Sequence, residues 1–188
     1  MKTLQGHEQG LQISSRISLR LMTEADLPML HEWLNKPHIV EWWGGERPSL
    51  EAVREHYQPE QMAQQNVTPY IGLLDGKPFA YAQSYIAMGS GEGWWEDVLD
   101  PGVRGIDQSI AYAELLGVGL GTQLVRTLVD HLFNDPAVTK VQTDPAPHNL
   151  RAIRCYEKAG FQRVKMMETP DGKALYMLRD RFSAERNE

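Results

Sequence analysis

Between residues 103 and 133 a two-residue alternation crosses a glycine turn and becomes a helical stripe, and that switch limits the fold more than anything else in the chain. Val103 to Ala111 places Ile106, Gln108 and Ile110 on one face and Asp107 and Ser109 on the other, the pattern of a half-buried strand. Leu116-Gly117-Val118-Gly119-Leu120-Gly121-Thr122 follows, and Leu120, Leu124, Leu128 and Leu132 then form the apolar stripe of a helix that stops at Asn134-Asp135-Pro136. A strand feeding a helix through glycines concentrates free backbone N–H groups and the positive end of the helix dipole at one spot, which suits a phosphate. The spacing rejects the two common nucleotide loops. No Lys follows the glycines as a Walker A turn requires, and G-x-G-x-G late in the chain is not the early G-x-G-x-x-G of a dinucleotide fold.

The remaining segments supply the sheet this helix must cover. Residues 17 to 22 alternate as a first strand. Thr23 to Asn35 carries Leu27, Leu30 and Leu34 at helical spacing, with Pro28 tolerable if the first turn starts near Asp26 and Pro37 beyond the end. A second helical stretch starts at Ser49 and is interrupted by Pro59. Tyr70 to Leu74 and Phe79 to Met88 are joined by Asp75-Gly76, a two-residue hairpin signal. Val138 to Thr143 is a fifth strand, Asn149 caps a helix over 150 to 159 that Gly160 ends, and two strands flank residues 169 to 172. This order predicts an α+β fold, one domain over residues 17 to 182 with a mixed sheet and helices on both faces, and loose ends at 1 to 16 and 183 to 188.

Composition narrows the partners. The 188 residues carry 19 Lys and Arg against 25 Asp and Glu, a net charge of −6 without a long basic run, which argues against nucleic acid. Residues 92 to 107 hold a local charge of −4 beside Trp94 and Trp95, a combination suited to a cation. The single Cys155 excludes an intrachain disulfide, and six histidines without ligand spacing predict no metal site. The absence of a signal-peptide pattern or a run of about 20 apolar residues leads to the expectation of a cytoplasmic protein, a monomer with a dimer allowed.

Leu116 to Gly121 resembles the Q/R-x-x-G-x-G/A coenzyme A loop of the GNAT N-acetyltransferase superfamily, with Leu116 in place of Gln or Arg. The segment from Asn149 to Phe161 resembles its N-x-x-A-x-x-x-Y-x-x-x-G-F element. Glu41-Trp42-Trp43-Gly44-Gly45, residues 81 to 85, Gly93-Trp94-Trp95, residues 100 to 109 and Thr143-Asp144-Pro145 are similar to aminoglycoside 6′-N-acetyltransferases.

The resemblance implies a GNAT fold with a central, mixed, mostly antiparallel sheet whose fourth and fifth strands splay around acetyl-CoA, the co-substrate, with no metal. It implies acetyl transfer to the 6′-amine of a polycationic aminoglycoside, and hence antibiotic resistance. On the donor side it points to Ile110, Val118, Gly119, Gly121, Thr122, Asn149 and Tyr156. Around the acceptor it points to Trp43, Gln83, Tyr85, Glu92, Trp94, Trp95, Asp107, Asp144 and Asp171, with Glu92 standing where a related protein has Asp. For the reaction it implies Asp107 and Glu92 at the amine, the Ile110 backbone N–H on the thioester oxygen and Tyr156 as proton donor to the leaving thiolate. The apolar Ile110 resembles amikacin-modifying members. Two other readings stay open: the same fold acting on a protein N-terminal or siderophore-precursor amine, and a non-catalytic sensor of acetyl-CoA or a polyamine.

Overall fold

A computed structural model describes residues 16–182. Its seven strands are β1 (Ile17–Leu21), β2 (Val67–Leu74), β3 (Lys77–Ile86), β4 (Val103–Ile110), β5 (Lys140–Thr143), β6 (Gln162–Thr169) and β7 (Gly172–Asp180). They form one sheet in the order β1-β2-β3-β4-β5-β7-β6, antiparallel except at the β4–β5 pair. The Asp75-Gly76 turn joins β2 to β3 with φ of 49° and 80°, the positive angles a two-residue hairpin needs. Arg16, placed in the tail on sequence grounds, continues β1: its carbonyl accepts from the Asp75 N–H at 2.8 Å and its guanidinium pairs with the Asp75 carboxylate at 2.6 Å. The other residues of the two expected tails lie outside the described residues.

The β4–β5 pairing decides where a ligand can enter. β4 is eight residues long, yet it pairs with β5 only from Val103 to Gly105, opposite Lys140 to Gln142. Beyond Gly105 the two strands stop pairing, so from Ile106 to Ile110 the edge of β4 on the β5 side has no strand neighbour, while β3 stays paired on the other side. This is the expected splay.

Helices cover both faces, because alternation gives each strand two apolar sides. Four helices, α1 (Leu27–Leu34), α2 (Pro37–Val40), α3 (Leu50–Tyr57) and α4 (Pro59–Gln64), lie against Ile71 and Tyr81 in a core with Leu27, Leu30, Trp33 and Val53. On the opposite face α5 (Leu120–Phe133) and α6 (Leu150–Lys158) pack Val125, Leu128, Ile153 and Tyr156 on Ile106, Val141 and Met177.

Three local departures from the sequence reading have physical causes. The expected helix at Thr23 begins as a 3-10 turn over Glu24–Asp26, because the Asp26 carboxylate accepts from the Thr23 N–H at 2.8 Å and holds the Arg20 guanidinium at 2.7 Å. Pro37 opens the short helix α2 instead of only marking the end of α1; a proline with fixed φ and no N–H suits a helix start as well as a helix stop. β2 starts at Val67, three residues before the apolar run, because register with Tyr85 supplies the pairing that composition did not signal.

Candidate active site

The glycine turn adopts a backbone that other residues would resist, and each glycine has its own reason. Gly117 and Gly119 have φ of 76° and 88°, and the left-handed Gly119 is the N-cap of α5. A Cβ on Gly121 would lie 3.3 Å from the Cys155 Sγ and 3.6 Å from the Ile110 Cδ1, so this glycine lets α5, α6 and β4 converge. Asn149 caps α6, its side-chain oxygen accepting from the Ala152 N–H at 3.1 Å. Between these elements lies a cleft of about 330 Å³ lined by Ile110, Gly119, Gly121, Thr122 and Asn149, with Trp42 and His38 on its other wall. Val118, expected here as well, is 64% exposed and does not line the cleft; only its backbone could contribute.

This cleft fits a long, phosphorylated thioester. The start of α5 offers unpaired N–H groups to phosphate. The sequence reading missed Arg151, Arg154 and Lys158, which line the same cleft and stand at i, i+3 and i+7 on α6. That periodicity was visible in the sequence as one cationic helix face and gains meaning from its place beside the glycine turn. The Trp42 indole N–H is buried without a protein partner, a donor available to an amide carbonyl of a ligand. Trp42 is braced by the His148 ring at 5.1 Å.

Across β4 the chemistry changes sign. β3 and β4 run in register so that Tyr81, Gln83 and Tyr85 lie opposite Ser109, Asp107 and Gly105 on the face away from α5. Tyr81 donates to the Gln83 Oε1 at 2.7 Å and the Gln83 Nε2 donates to the Asp107 Oδ2 at 2.9 Å, a chain that fixes the carboxylate. Above it the Trp43 indole donates to the Tyr57 hydroxyl at 2.9 Å, and both rings meet Tyr81 edge-on. Neither Tyr57 nor Tyr81 was named as a site residue from the sequence, where Tyr81 entered only as part of the segment 81 to 85.

The anionic character comes from three separate segments. Asp107 is on β4, Asp144 follows the end of β5, and Asp171 lies in the turn between β6 and β7. Burial pushes the Asp107 carboxyl up, the Gln83 hydrogen bond pulls it down, and the charge of Asp171 pushes it up again. Burial pushes Asp144 up to about 7, with Asp107 and Asp171 adding to the shift. Like charges brought together out of water hold protons more tightly until a cation arrives.

The acidic segment 92 to 107, by contrast, does not enter the site as a unit. Asp100 is spent on a loop, accepting from the Thr139 hydroxyl at 2.7 Å and the Gly102 N–H at 2.8 Å. Glu96 accepts from the Gly93 N–H at 2.9 Å. Glu92 is exposed in the loop between β3 and β4. The charge density that stood out in the sequence is mostly loop chemistry, and within that segment only Asp107 acts on Asp144.

The two tryptophans of that loop also part company. Trp95 is 7% exposed, donates to the Tyr85 hydroxyl at 2.9 Å and lies against Tyr176 at 5.3 Å, so it backs the wall that Tyr85 faces. Trp94 is half-buried beside it. The Tyr85 ring in turn covers Gly105, where a Cβ would fall 2.0 Å from its Cζ. Buried Gln142 on β5, two residues before Asp144, accepts from the Tyr176 hydroxyl at 3.1 Å.

Tyr156 lies between the two halves. It is 5% exposed on α6, edge-on to Phe161, with its hydroxyl paired to the Thr143 side chain. Burial raises its pKa far above the ordinary phenol value, and the charges of Asp107 and Asp144 add to that rise. The cleft and the three carboxylates, close enough for their charges to act on one another, lie on either side of the place where β4 and β5 part.

Residues 22–169 match the acetyltransferase (GNAT) domain family. The chain is 65% identical over 172 residues to the aminoglycoside N(6′)-acetyltransferase type 1 of Klebsiella pneumoniae, covering 90% of this chain and 86% of that one. The chain belongs to the aminoglycoside N(6′)-acetyltransferases of the GNAT family. Solved structures agree with this N-acetyltransferase assignment. AAC(6′)-Ib holding acetyl-CoA superposes with a TM-score of 0.89 at 64% identity over 92% of this chain and 97% of that one. AAC(6′)-Ib with coenzyme A and kanamycin gives 0.88 at 64% identity over 91% and 98%. Among the described residues no helix is long and apolar enough to cross a membrane, and no group of three or more His, Cys, Asp or Glu could hold a metal ion.

Proposed function

We propose that this chain transfers acetyl from acetyl-CoA to the 6′-amine of aminoglycosides such as kanamycin, and so confers resistance to them. The observation that carries the reading is the meeting, at the β4–β5 splay, of a cationic, glycine-turned cleft with a trough built from Asp107, Asp144 and Asp171. The alternative acceptors would not need three converging carboxylates backed by aromatic rings.

The donor brings an activated acetyl thioester, and the protein's residues do the rest. The start of α5 with Arg151, Arg154 and Lys158 holds the phosphates, and the unpaired edge of β4 directs the Ile110 N–H at the thioester oxygen, where negative charge grows as nitrogen adds. Asp107, Asp144 and Asp171 hold the drug's ammonium groups by charge-assisted hydrogen bonds, with Trp43, Tyr85 and Trp94 as the walls and Glu92 at the rim. The reacting amine must lose a proton, and an ordinary carboxylate lies roughly 6 pK units below an alkylammonium. Burial and like charges raise Asp144 to about 7 and move Asp107 in the same direction, so this pair takes up a proton more readily than an ordinary carboxylate, with Asp107 positioning the amine. As the N–C bond forms and the C–S bond breaks, Tyr156 delivers its proton to the departing sulfur and is reprotonated by the second proton that the nitrogen gives up in becoming the amide.

The experiment is thiol release from acetyl-CoA with purified protein and kanamycin. Absence of turnover with any 6′-amino drug, alongside turnover of a peptide amine, would overturn the assignment. The same assay reads the acid cluster. A carboxylate whose pKa is about 7 is mostly neutral at pH 6 and mostly ionised at pH 8, and only the ionised form attracts an ammonium. We therefore expect kcat/KM for kanamycin to rise about tenfold from pH 6 to 8, and Asp144→Asn to flatten that rise.

The tight contact under Tyr85 makes a separate prediction. Gly105→Ala forces the ring away from β4 while the Trp95 hydrogen bond holds its hydroxyl, so repacking should cost about 1–3 kcal/mol. Thermal melting should record that loss, and KM for kanamycin should rise severalfold while KM for acetyl-CoA stays constant.

A further inference from the structure

Ile110 presents a problem in backbone accounting that one side chain solves. The Ala111 N–H donates to the Phe79 carbonyl at 2.8 Å, so residues 111 and 79 form a hydrogen-bonded antiparallel pair. Neighbouring residues on a strand point their backbone groups to opposite edges. The N–H and the C=O of Ile110 therefore both point away from β3, toward the side where β5 has already diverged. Neither group has a strand to bond.

The carbonyl is taken by His38, whose Nε2 lies 3.0 Å from the Ile110 oxygen. A carbonyl can only accept, so Nε2 carries the hydrogen. The contact bridges 72 residues of sequence. His38 stands on the single turn α2, opened by Pro37 and anchored by Ile39, which is 3% exposed in the core. Its ring lines the donor cleft beside Trp42 and Trp43.

We propose that His38 is a positioning residue for acetyl transfer: its ring N–H replaces the missing strand at Ile110 and holds that backbone so that the Ile110 N–H faces the thioester oxygen. The inference rests on the acetyl-transfer reading above. Two consequences follow from the geometry. With His38 bonded to its oxygen and Phe79 bonded to the Ala111 N–H, the Ile110–Ala111 peptide plane is fixed from both edges of β4. The Ile110 carbonyl, which would otherwise be an uncompensated acceptor beside the position where negative charge develops, has its lone pair directed into a donor. Both effects act on the charge that grows during reaction more than on the bound ground state, so they belong in kcat and not in KM.

The test compares His38→Phe, which keeps ring volume without a donor, and His38→Gln, whose amide N–H can replace the imidazole N–H, with wild type in the same acetyl-CoA and kanamycin assay. His38→Phe should lower kcat about tenfold or more while both KM values and the Kd for coenzyme A stay within about threefold; losing a direct oxyanion donor costs more, about 100-fold or above. His38→Gln should return kcat to within about threefold of wild type. Full kcat in His38→Phe, a loss expressed as a higher KM for acetyl-CoA, or a folded His38→Gln as slow as the Phe variant would each overturn the proposal. If His38→Phe does not fold, His38→Asn, with an amide too short to reach the carbonyl, replaces it with the same expected loss. A wild type that turns over no 6′-amino drug overturns the acetyl-transfer reading itself, a failure distinct from any difference among the variants.

Discussion

Asp107→Asn should reduce kcat/KM for kanamycin about 1,000-fold while leaving KM for acetyl-CoA within threefold. Asn is nearly isosteric with Asp, and its side-chain oxygen can still accept the 2.9 Å hydrogen bond from the Gln83 Nε2, so the fixed chain from Tyr81 through Gln83 survives. What disappears is the charge. An ammonium entering a half-buried trough would then meet a neutral amide where it needs an anion, and truncating one partner of such a pair costs about 2–5 kcal/mol. A second readout identifies the cause. The negative charge of Asp107 helps to push Asp144 up to about 7, so its removal favours ionisation of Asp144 and shifts the midpoint of the pH dependence downward. A loss of activity without that shift would mean that the two carboxylates do not sense each other. Activity within fivefold of wild type would mean that Asp107 does not hold the reacting amine.

That coupling is also where sequence reading reached its limit. The glycine turn and the helix it opens were legible because their determinants are local: Gly119, Gly121 and the stripe from Leu120 to Leu132 are continuous, and glycine's tolerance of positive φ and of close approach holds in any context. The hairpin at Asp75-Gly76 was legible for the same reason. The acid cluster was legible only through the family resemblance, which pointed to Asp107, Asp144 and Asp171; no local pattern joins the three. Asp107, Asp144 and Asp171 come from three segments that meet only because β5 separates β4 from β7, while the visible acidic run at 92 to 107 spends Asp100 and Glu96 on the backbone N–H groups of Gly102 and Gly93. Trp95 shows a related ambiguity. Two adjacent tryptophans in a glycine-rich loop suit an open binding wall, yet the positive φ of 46° at Trp95 turns its ring inward against Tyr176 and its N–H onto Tyr85. His38 carried no motif at all. Its significance depends on the distance at which β4 and β5 stop pairing, a property of register that no local window contains.

Tyr156→Phe should lower kcat about 100-fold with little change in either KM. The substitution removes one oxygen from a ring that is 5% exposed and keeps its edge-on contact with Phe161 at 5.4 Å, so packing is retained and the stability loss should stay near 1 kcal/mol for the Thr143 hydroxyl left unpaired. Burial raises the phenol far above its ordinary value, and the negative charges nearby add to that effect. Tyr156 therefore retains its proton throughout the working pH range and is always in the donating form. The departing sulfur develops its charge in the same desolvated region, where an unneutralised thiolate is costly, so the proton moves as the C–S bond breaks. This predicts a kcat with no decline on the alkaline side up to about pH 10, since an acid with an ordinary phenol pKa would begin to lose its proton there. It also separates Tyr156 from the acidic trough: Asp144 governs the rise in kcat/KM between pH 6 and 8, and the Phe variant should keep that rise at a uniformly lower rate. A sensor that binds acetyl-CoA without transferring acetyl would behave the same with Phe at this position. A change in kcat below threefold would remove Tyr156 from the reaction and leave the departing thiolate to solvent.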